Sequence, residues 1–478
     1  MPLNLVKGRR LSTPAVDPHL PTVHLRPPRN WVNDPNGLVF HDGFYHVFFQ
    51  YNPHGAEHRD VHWGHFRSRD LVRWELLPVA LTPTPGGDDA DGCWSGNAIS
   101  DNGRILAFYC AKRDDRWWQP VTTAESRDGG HTWTKRPLPL LAQPPAGTTM
   151  YRDPYVWHQD GRWRMLVGAA LTDGRGATFL YESPDLQVWN PRGRLHAGAA
   201  GGPTGWECPQ YATFGDRSLL IVSQWHPDRG PQNVVAYTGY ERNARLFAGD
   251  PVPLDHGPDF YAPALLKAAD GRWLLWGWTP EARTADWVSE AGWAGALTLP
   301  REVSLAEDGT VRQRPARELL ALRTRRVLRH SGQAGELGEV SRAFDLTANL
   351  TAGTGLRLDT SPDGTEHLDV RFEPGSVLVD RNHASQDARA AGGTYTLPCP
   401  HTGDALDVRI VVDGSIAEIY LSSGQALTLR FYPTGSAPWR LTTTGAGHTT
   451  VEAWDLRGDG IHQQLLTTTD TRSSSARH

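Results

Sequence analysis

Three acidic residues, Asp34, Asp153 and Glu207, open three units of one internal repeat. Carboxylates gathered in this way suit cleavage of a glycosidic bond. One must be ionised to attack or stabilise an oxocarbenium-like centre, and another must keep its proton until the leaving oxygen needs it. Neighbouring residues point to a division of labour. Arg152 beside Asp153 is expected to keep that carboxylate ionised, which disfavours it as the acid. Glu207, between Trp206 and Cys208-Pro209, has the most apolar local sequence and reads as the proton donor. Asp34 is left as the nucleophile. Each segment alone says little: Asn33-Asp34-Pro35-Asn36-Gly37 has the composition of a turn, and Arg-Asp neighbours are common on surfaces. Their shared phase in the repeat carries the reading.

The elements that must position these residues are strands. The units read DPNGLVFHDGFYHVFFQYNP from Asp34, DPYVWHQDGRWRMLVGAA from Asp153 and ECPQYATFGDRSLLIVSQWH from Glu207. Each leaves a polar turn, runs through an apolar strand, turns at Gly or Asp and returns through an aromatic-rich strand. Weaker copies begin at Ser95 and Ala262. Starts at 34, 95, 153, 207 and 262 lie 61, 58, 54 and 55 residues apart. A strand-and-turn repeat of this length predicts a propeller with one blade per repeat. Equivalent first-strand positions then meet at a central channel although they are distant in sequence. A second echo has the same period: Ser68-Arg69-Asp70 before Trp74, Ser126-Arg127-Asp128 before Trp133 and Ser183-Pro184-Asp185 before Trp189. It predicts outer hairpins whose small polar residues cap the turn while an indole packs beneath.

The whole chain is expected to be all-β: a five-bladed β-propeller followed by a C-terminal antiparallel β-sandwich. Its 478 residues exceed one ordinary core. Residues 1–27 read as an extended lead-in and 28–308 as the propeller. Residues 309–326 read as a linker with roughly three helical turns between Pro315 and Arg325. Residues 327–458 show short alternating strands, the pattern of a sandwich, and 459–478 form a polar tail expected to be disordered. A net charge of -5 and a pI near 6.5 leave no electrostatic footprint for nucleic acid or anionic lipid. No apolar run reaches the ~18–20 residues needed to cross a bilayer. The N-terminus has no apolar signal-peptide core, and Cys93, Cys110, Cys208 and Cys399 form neither a disulfide framework nor a CxxC pair. A cytoplasmic protein with free thiols is expected. The histidines show no ligand spacing such as HExxH, so neither a metal nor another cofactor is expected. The expected partner is a small sugar; pairing of subunits through the sandwich stays open.

Over almost its whole length the chain resembles glycoside hydrolase family 32, which includes invertases, β-fructofuranosidases and fructan exohydrolases. HLRPPRNWVNDPNG resembles the family's sucrose box, FFQYNP and HWGH follow, and CWSG resembles its Phe-Ser-Gly motif with Trp94 in place of Phe. RDP, WECP, DFYAP, WGW and GWAGALTLPRE complete the series in family order. The resemblance implies Asp34 as nucleophile, Glu207 as acid/base and Asp153 as a transition-state stabiliser that grips two fructose hydroxyls. It implies substrate contacts from Asn33, Gln50, Trp63, Trp94, Ser95, Arg152, Tyr261 and Trp278; Cys208, counted with this binding set, is expected to pack beside the acid. Asn30 replaces a usual Gly and Val32 a usual Met, and neither removes a functional group. Trp94 alters the wall beside the leaving group. The implied activity is retaining hydrolysis of terminal non-reducing β-D-fructofuranosides, sucrose and short fructo-oligosaccharides, through a fructosyl-enzyme. Exo-attack on levan or inulin, fructosyl transfer and sucrose-6-phosphate hydrolysis remain alternatives within the family. Outside it stand an inverting propeller glycosidase acting on arabinose polymers and a sugar-binding propeller without catalysis, which would need an eroded carboxylate.

Overall fold

Alternating apolar positions and closely spaced Gly and Asp turns drive this chain into antiparallel hairpins. The computed structural model describes residues 17–202, 204–400 and 403–458; the tail at 459–478 and the first part of the lead-in lie outside the described residues. Five antiparallel sheets follow one another. Their first strands are Asn30–His41, Gly92–Asp101, Thr148–Gln159, Gly205–Phe214 and Tyr261–Lys267. Each of these inner strands contacts the next, and the last contacts the first, so together they surround an axis. The first residue of every repeat unit lies in one of them.

Two local devices hold this ring. The segment Trp293–Ala294 runs parallel to Asn30 and Trp31, and the Leu297 N–H donates to the Leu25 carbonyl, so the end of the propeller clasps its beginning. Gly295 in the clasp has φ 77°, and an added Cβ would meet the Val32 carbonyl at 2.0 Å, so only glycine fits. At the outer edge, the Ser68 hydroxyl accepts from the Asp70 and Leu71 N–H groups and donates to Asp70. Ser183 repeats this with Asp185 and Leu186, and Ser126 bonds Asp128 and the Gly130 N–H. Trp74 and Trp133 donate their indole N–H to the same turns.

The C-terminal part is two six-stranded antiparallel sheets packed face to face. Leu346, Leu350, Val370, Leu397, Ile419 and Trp439 are among the alternating inward residues that fill the layer between them. The stretch 309–326 differs from its sequence reading. Val311–Pro315 pairs with Arg301–Leu305 in the fifth sheet, and Arg323–Gln333 already belongs to the sandwich. Only Arg317–Leu322 between them is helical, as one 3₁₀ segment and not three α-turns. Leu319 and Leu322 bury at a spacing of three, and Arg323 is drawn into extended chain by Asp345 at 2.7 Å. Conversely, a short α-helix, Ala285–Ala291, stands within the fifth repeat; it buries no residue, so no hydrophobic period announces it.

Propeller and sandwich meet through buried charge. His24 lies between Asp413 and Glu418, 2.9 Å from each. Arg301 bonds Asp255 and Glu418, 2.7 Å from each. Arg381 reaches across to Asp259, two residues before the fifth inner strand.

Candidate active site

The starts of the inner strands enclose a cavity of about 410 Å³. Asn33, Asp34, Trp94, Ser95, Arg152, Asp153, Glu207 and Tyr261 wall it from those strands. Gln50, Trp225 and Trp278 join from second strands, and Trp31, His58 and Pro231 complete the rim. Every inner strand carries one extra residue against its hairpin partner at this level. Trp94 and Gly96 oppose Cys110 and Tyr109 and leave Ser95 over; Arg152 and Pro154 oppose Gly168 and Val167 and leave Asp153 over. Equivalent bulges fall between Val32 and Pro35, Glu207 and Gln210, and Tyr261 and Ala264. Asp153, Cys208 and Ala262 take φ of 65°, 46° and 45°, left-handed backbone that re-aims the side chains around each bulge. Pro35, Pro154, Pro209 and Pro263 sit at these bulges, where a missing N–H is tolerated.

The bulges sort the site into two tiers. Asp34, Ser95, Asp153, Cys208 and Ala262 form the lower one. Asn33, Trp94, Arg152, Glu207 and Tyr261 form the upper one, each a residue earlier along its strand. In the third and fourth inner strands the left-handed residues are Asp153 and Cys208, so Glu207 stands one residue before the level of Asp153.

In the lower tier the Ser95 hydroxyl donates to Asp34 Oδ2 at 2.6 Å and the Asn33 amide to Asp34 Oδ1 at 3.0 Å. The Trp31 indole fixes Asn33 at 2.6 Å. The Cys208 N–H donates to Asp153 Oδ2 at 3.0 Å, and its thiol stands 3.5 Å from Asp34 and 3.6 Å from Asp153. In the upper tier the Arg152 guanidinium pairs with Glu207 Oε1. The Tyr261 hydroxyl lies 2.6 Å from Glu207 Oε2 and 3.0 Å from the Gln224 carbonyl. Arg152 also covers the Trp225 and Trp94 rings at 5.0 and 5.6 Å.

One guanidinium therefore pairs with Glu207 and acts on Asp153 through its charge. Burial raises Asp34, opposed by its hydrogen bonds from Ser95 and Asn33 and reinforced by the charge of Glu207. Burial pushes Asp153 up to about 7 in spite of Arg152, with Glu207 adding to the rise. The Cys208 thiol is held well above its ordinary value by burial and by its acidic neighbours, so it packs and does not attack.

Two steps of the sequence argument fail here for one reason: successive strand residues face opposite ways. Arg152 pairs with Glu207 and not with Asp153. Trp206 turns away from the cavity onto Gly176, Gly198 and Tyr237, so it supplies no apolar flank to the Glu207 carboxyl. Of the expected binding residues, Asn33, Gln50, Trp94, Ser95, Arg152, Tyr261 and Trp278 line the cavity. Trp63 does not; it is fully buried and supports the wall by donating to the Trp94 carbonyl at 3.1 Å. Cys208 lies behind the carboxylates. Trp31, His58, Trp225 and Pro231 were missed. Trp225 had a signal, since Gln224-Trp225-His226-Pro227 repeats Gln50-Tyr51-Asn52-Pro53 at the same strand end. His58 comes from an irregular turn and had none.

A cyclic array of sheets with carboxylates converging on its channel, continued by a β-sandwich, defines a glycosidase class of protein. Residues 24–315 match the glycosyl hydrolases family 32 N-terminal domain and residues 310–455 the family 32 C-terminal domain, and the chain belongs to that family. It is 33% identical over 446 residues to a sucrose-6-phosphate hydrolase of Escherichia coli, spanning 86% of this chain and 89% of that protein. It is also 33% identical over 453 residues to a raffinose invertase of Escherichia coli, with 86% and 89% covered. Among solved structures it is similar to fructan 1-exohydrolase IIa from Cichorium intybus, with a TM-score of 0.81 at 25% identity over 92% of this chain and 98% of that one. Sucrose-6-phosphate hydrolase from Lactobacillus gasseri gives a TM-score of 0.81 at 26% identity, over 92% and 94%.

Proposed function

We propose that this β-fructofuranosidase-type glycoside hydrolase releases fructose from the non-reducing end of sucrose and short fructo-oligosaccharides by retaining double displacement. One observation carries the reading: Asp34 and Glu207 wall a single cavity, as a nucleophile and an acid serving one sugar must. Asp34 attacks the anomeric carbon as a carboxylate, its charge stabilised by Ser95 and Asn33. Glu207 protonates the departing oxygen and later, as base, takes a proton from the water that releases fructose. The Tyr261 hydroxyl suits both states of Glu207. It donates to the ionised carboxylate; when Glu207 holds the proton, Tyr261 turns its own proton to the Gln224 carbonyl and accepts from Glu207. Asp153 in the lower tier accepts fructose hydroxyls and steadies the oxocarbenium-like centre. A volume of about 410 Å³ suits a site for a small sugar.

Following sucrose cleavage by NMR tests this. The expected result is glucose together with β-fructofuranose as the first-formed product. An α-configured first product would replace retention with inversion, and no glucose at all would leave a sugar-binding protein.

A further inference from the structure

Resting on the fructosidase reading, the charges at the mouth bear on which leaving group the site accepts. Relatives of this chain are named for sucrose 6-phosphate and for raffinose, one phosphorylated sugar and one neutral. A phosphate monoester carries close to two negative charges at neutral pH and is recognised by cations free to pair with it. Among the cavity walls Arg152 is the one permanently charged cation, and it is engaged by Glu207, with Asp34 and Asp153 beside it.

The rim repeats this pattern. Lys112, 5.7 Å from the Trp94 ring, is paired with Asp114 at 2.6 Å. Arg113 is paired with Asp115 at 2.6 Å, and Arg116 with Asp88 at 3.1 Å. Arg59, next to His58, holds Glu57 at 2.8 Å. Asp91 adds a further carboxylate whose Oδ2 accepts the Asp114 N–H at 2.9 Å. Across the mouth, in the turn between Trp225 and Pro231, Asp228 lies 3.9 Å from His226 and the exposed Arg229 faces no acid among the described residues. Exposed pairs of this kind are individually weak. Their effect here is that each cation near the Trp94 wall already faces an acid.

We propose that this mouth selects an uncharged leaving group, so that sucrose is cleaved at least about ten-fold more efficiently than sucrose bearing a phosphate on its glucosyl unit. The test compares kcat/KM for sucrose and sucrose 6-phosphate with the full-length protein at pH 7.5 and low ionic strength. The preference for sucrose should narrow as salt is added. The double variant Asp88→Asn with Asp114→Asn, which frees Arg116 and Lys112, should raise kcat/KM for the phosphorylated sugar several-fold. It should leave sucrose within about two-fold of the parent. Equal or better cleavage of the phosphorylated sugar by the unaltered enzyme overturns the charge selection and leaves the fructosidase reading standing, as does a double variant with no gain on it. Inactivity on both sugars and on 4-nitrophenyl β-D-fructofuranoside would instead remove the fructosidase reading and this proposal with it.

Discussion

The active-site pit and the seam between propeller and sandwich are both buried gatherings of acids, and they settle their charges in opposite ways. In the seam, Asp413 accepts from the Thr22, Val23 and His24 N–H groups and from the His24 ring. Glu418 accepts from His24, Arg301 and the Leu299 N–H. Burial, the largest influence, would raise both acids. These donors outweigh it, holding Asp413 below its usual range and Glu418 down at about 2. In the pit Arg152 serves Glu207 and Asp153, Asp34 has only neutral donors, and burial prevails at Asp34 and Asp153. Asp259, at the edge of the seam, accepts only from the Arg381 guanidinium and the Arg430 N–H and is also raised by burial, so these two donors do not offset it. Depth is common to both regions; the number of donors per carboxylate decides the outcome. The seam keeps charge fixed and joins two domains, whereas the pit keeps protons movable.

Substitutions can break or sharpen this contrast. Asp34→Asn removes the nucleophile and should lower turnover of sucrose by roughly 10⁴-fold, with the unfolding temperature unchanged or raised; loss of folding would mean that the pit is structural like the seam. Glu418→Gln should act the other way. It leaves Arg301 and His24 buried without their shared partner, which costs about 3–5 kcal/mol of stability, while kcat per folded molecule stays close to the parent in denaturant titration and activity assays. Asp153→Asn should abolish activity and yet raise the melting temperature at pH 7.5 by a few degrees. The sign follows from linkage: a carboxyl raised from 3.8 to about 7 contributes stability below pH ~4 that is lost as pH rises through ~7. The gain should therefore vanish below pH ~4 in thermal melts. Smallest of all, His58→Ala at the mouth should raise KM for sucrose a few-fold and leave the melting temperature unmoved.

Much of the ring was legible because the chemistry marks it. An acid or a serine opens four of the five repeat units, and Ser-x-Asp turns recur with the same period. The bulges were not legible, since an inserted residue does not alter composition, and with them the offset of Glu207 from the level of Asp153 stayed hidden. The partner of Arg152 was misread because neighbours along a strand are not neighbours in space. The helical reading of Pro315 to Arg325 failed where sheet pairing on both sides left room for one 3₁₀ segment. Trp63 carries the right motif and the wrong depth: its place in the second wall of side chains depends on Trp94 and Gly37, which pack over it.

The division of roles between the tiers is tested most directly by Glu207→Gln on two substrates. Sucrose has a poor leaving group that needs protonation, and 4-nitrophenyl β-D-fructofuranoside has one that does not. With Glu207 as the acid, kcat/KM on sucrose should fall by about 10²–10⁴-fold and on the aryl fructoside far less. Equal losses on the two substrates would contradict the assignment of Glu207 and, with it, the meaning given to the upper tier.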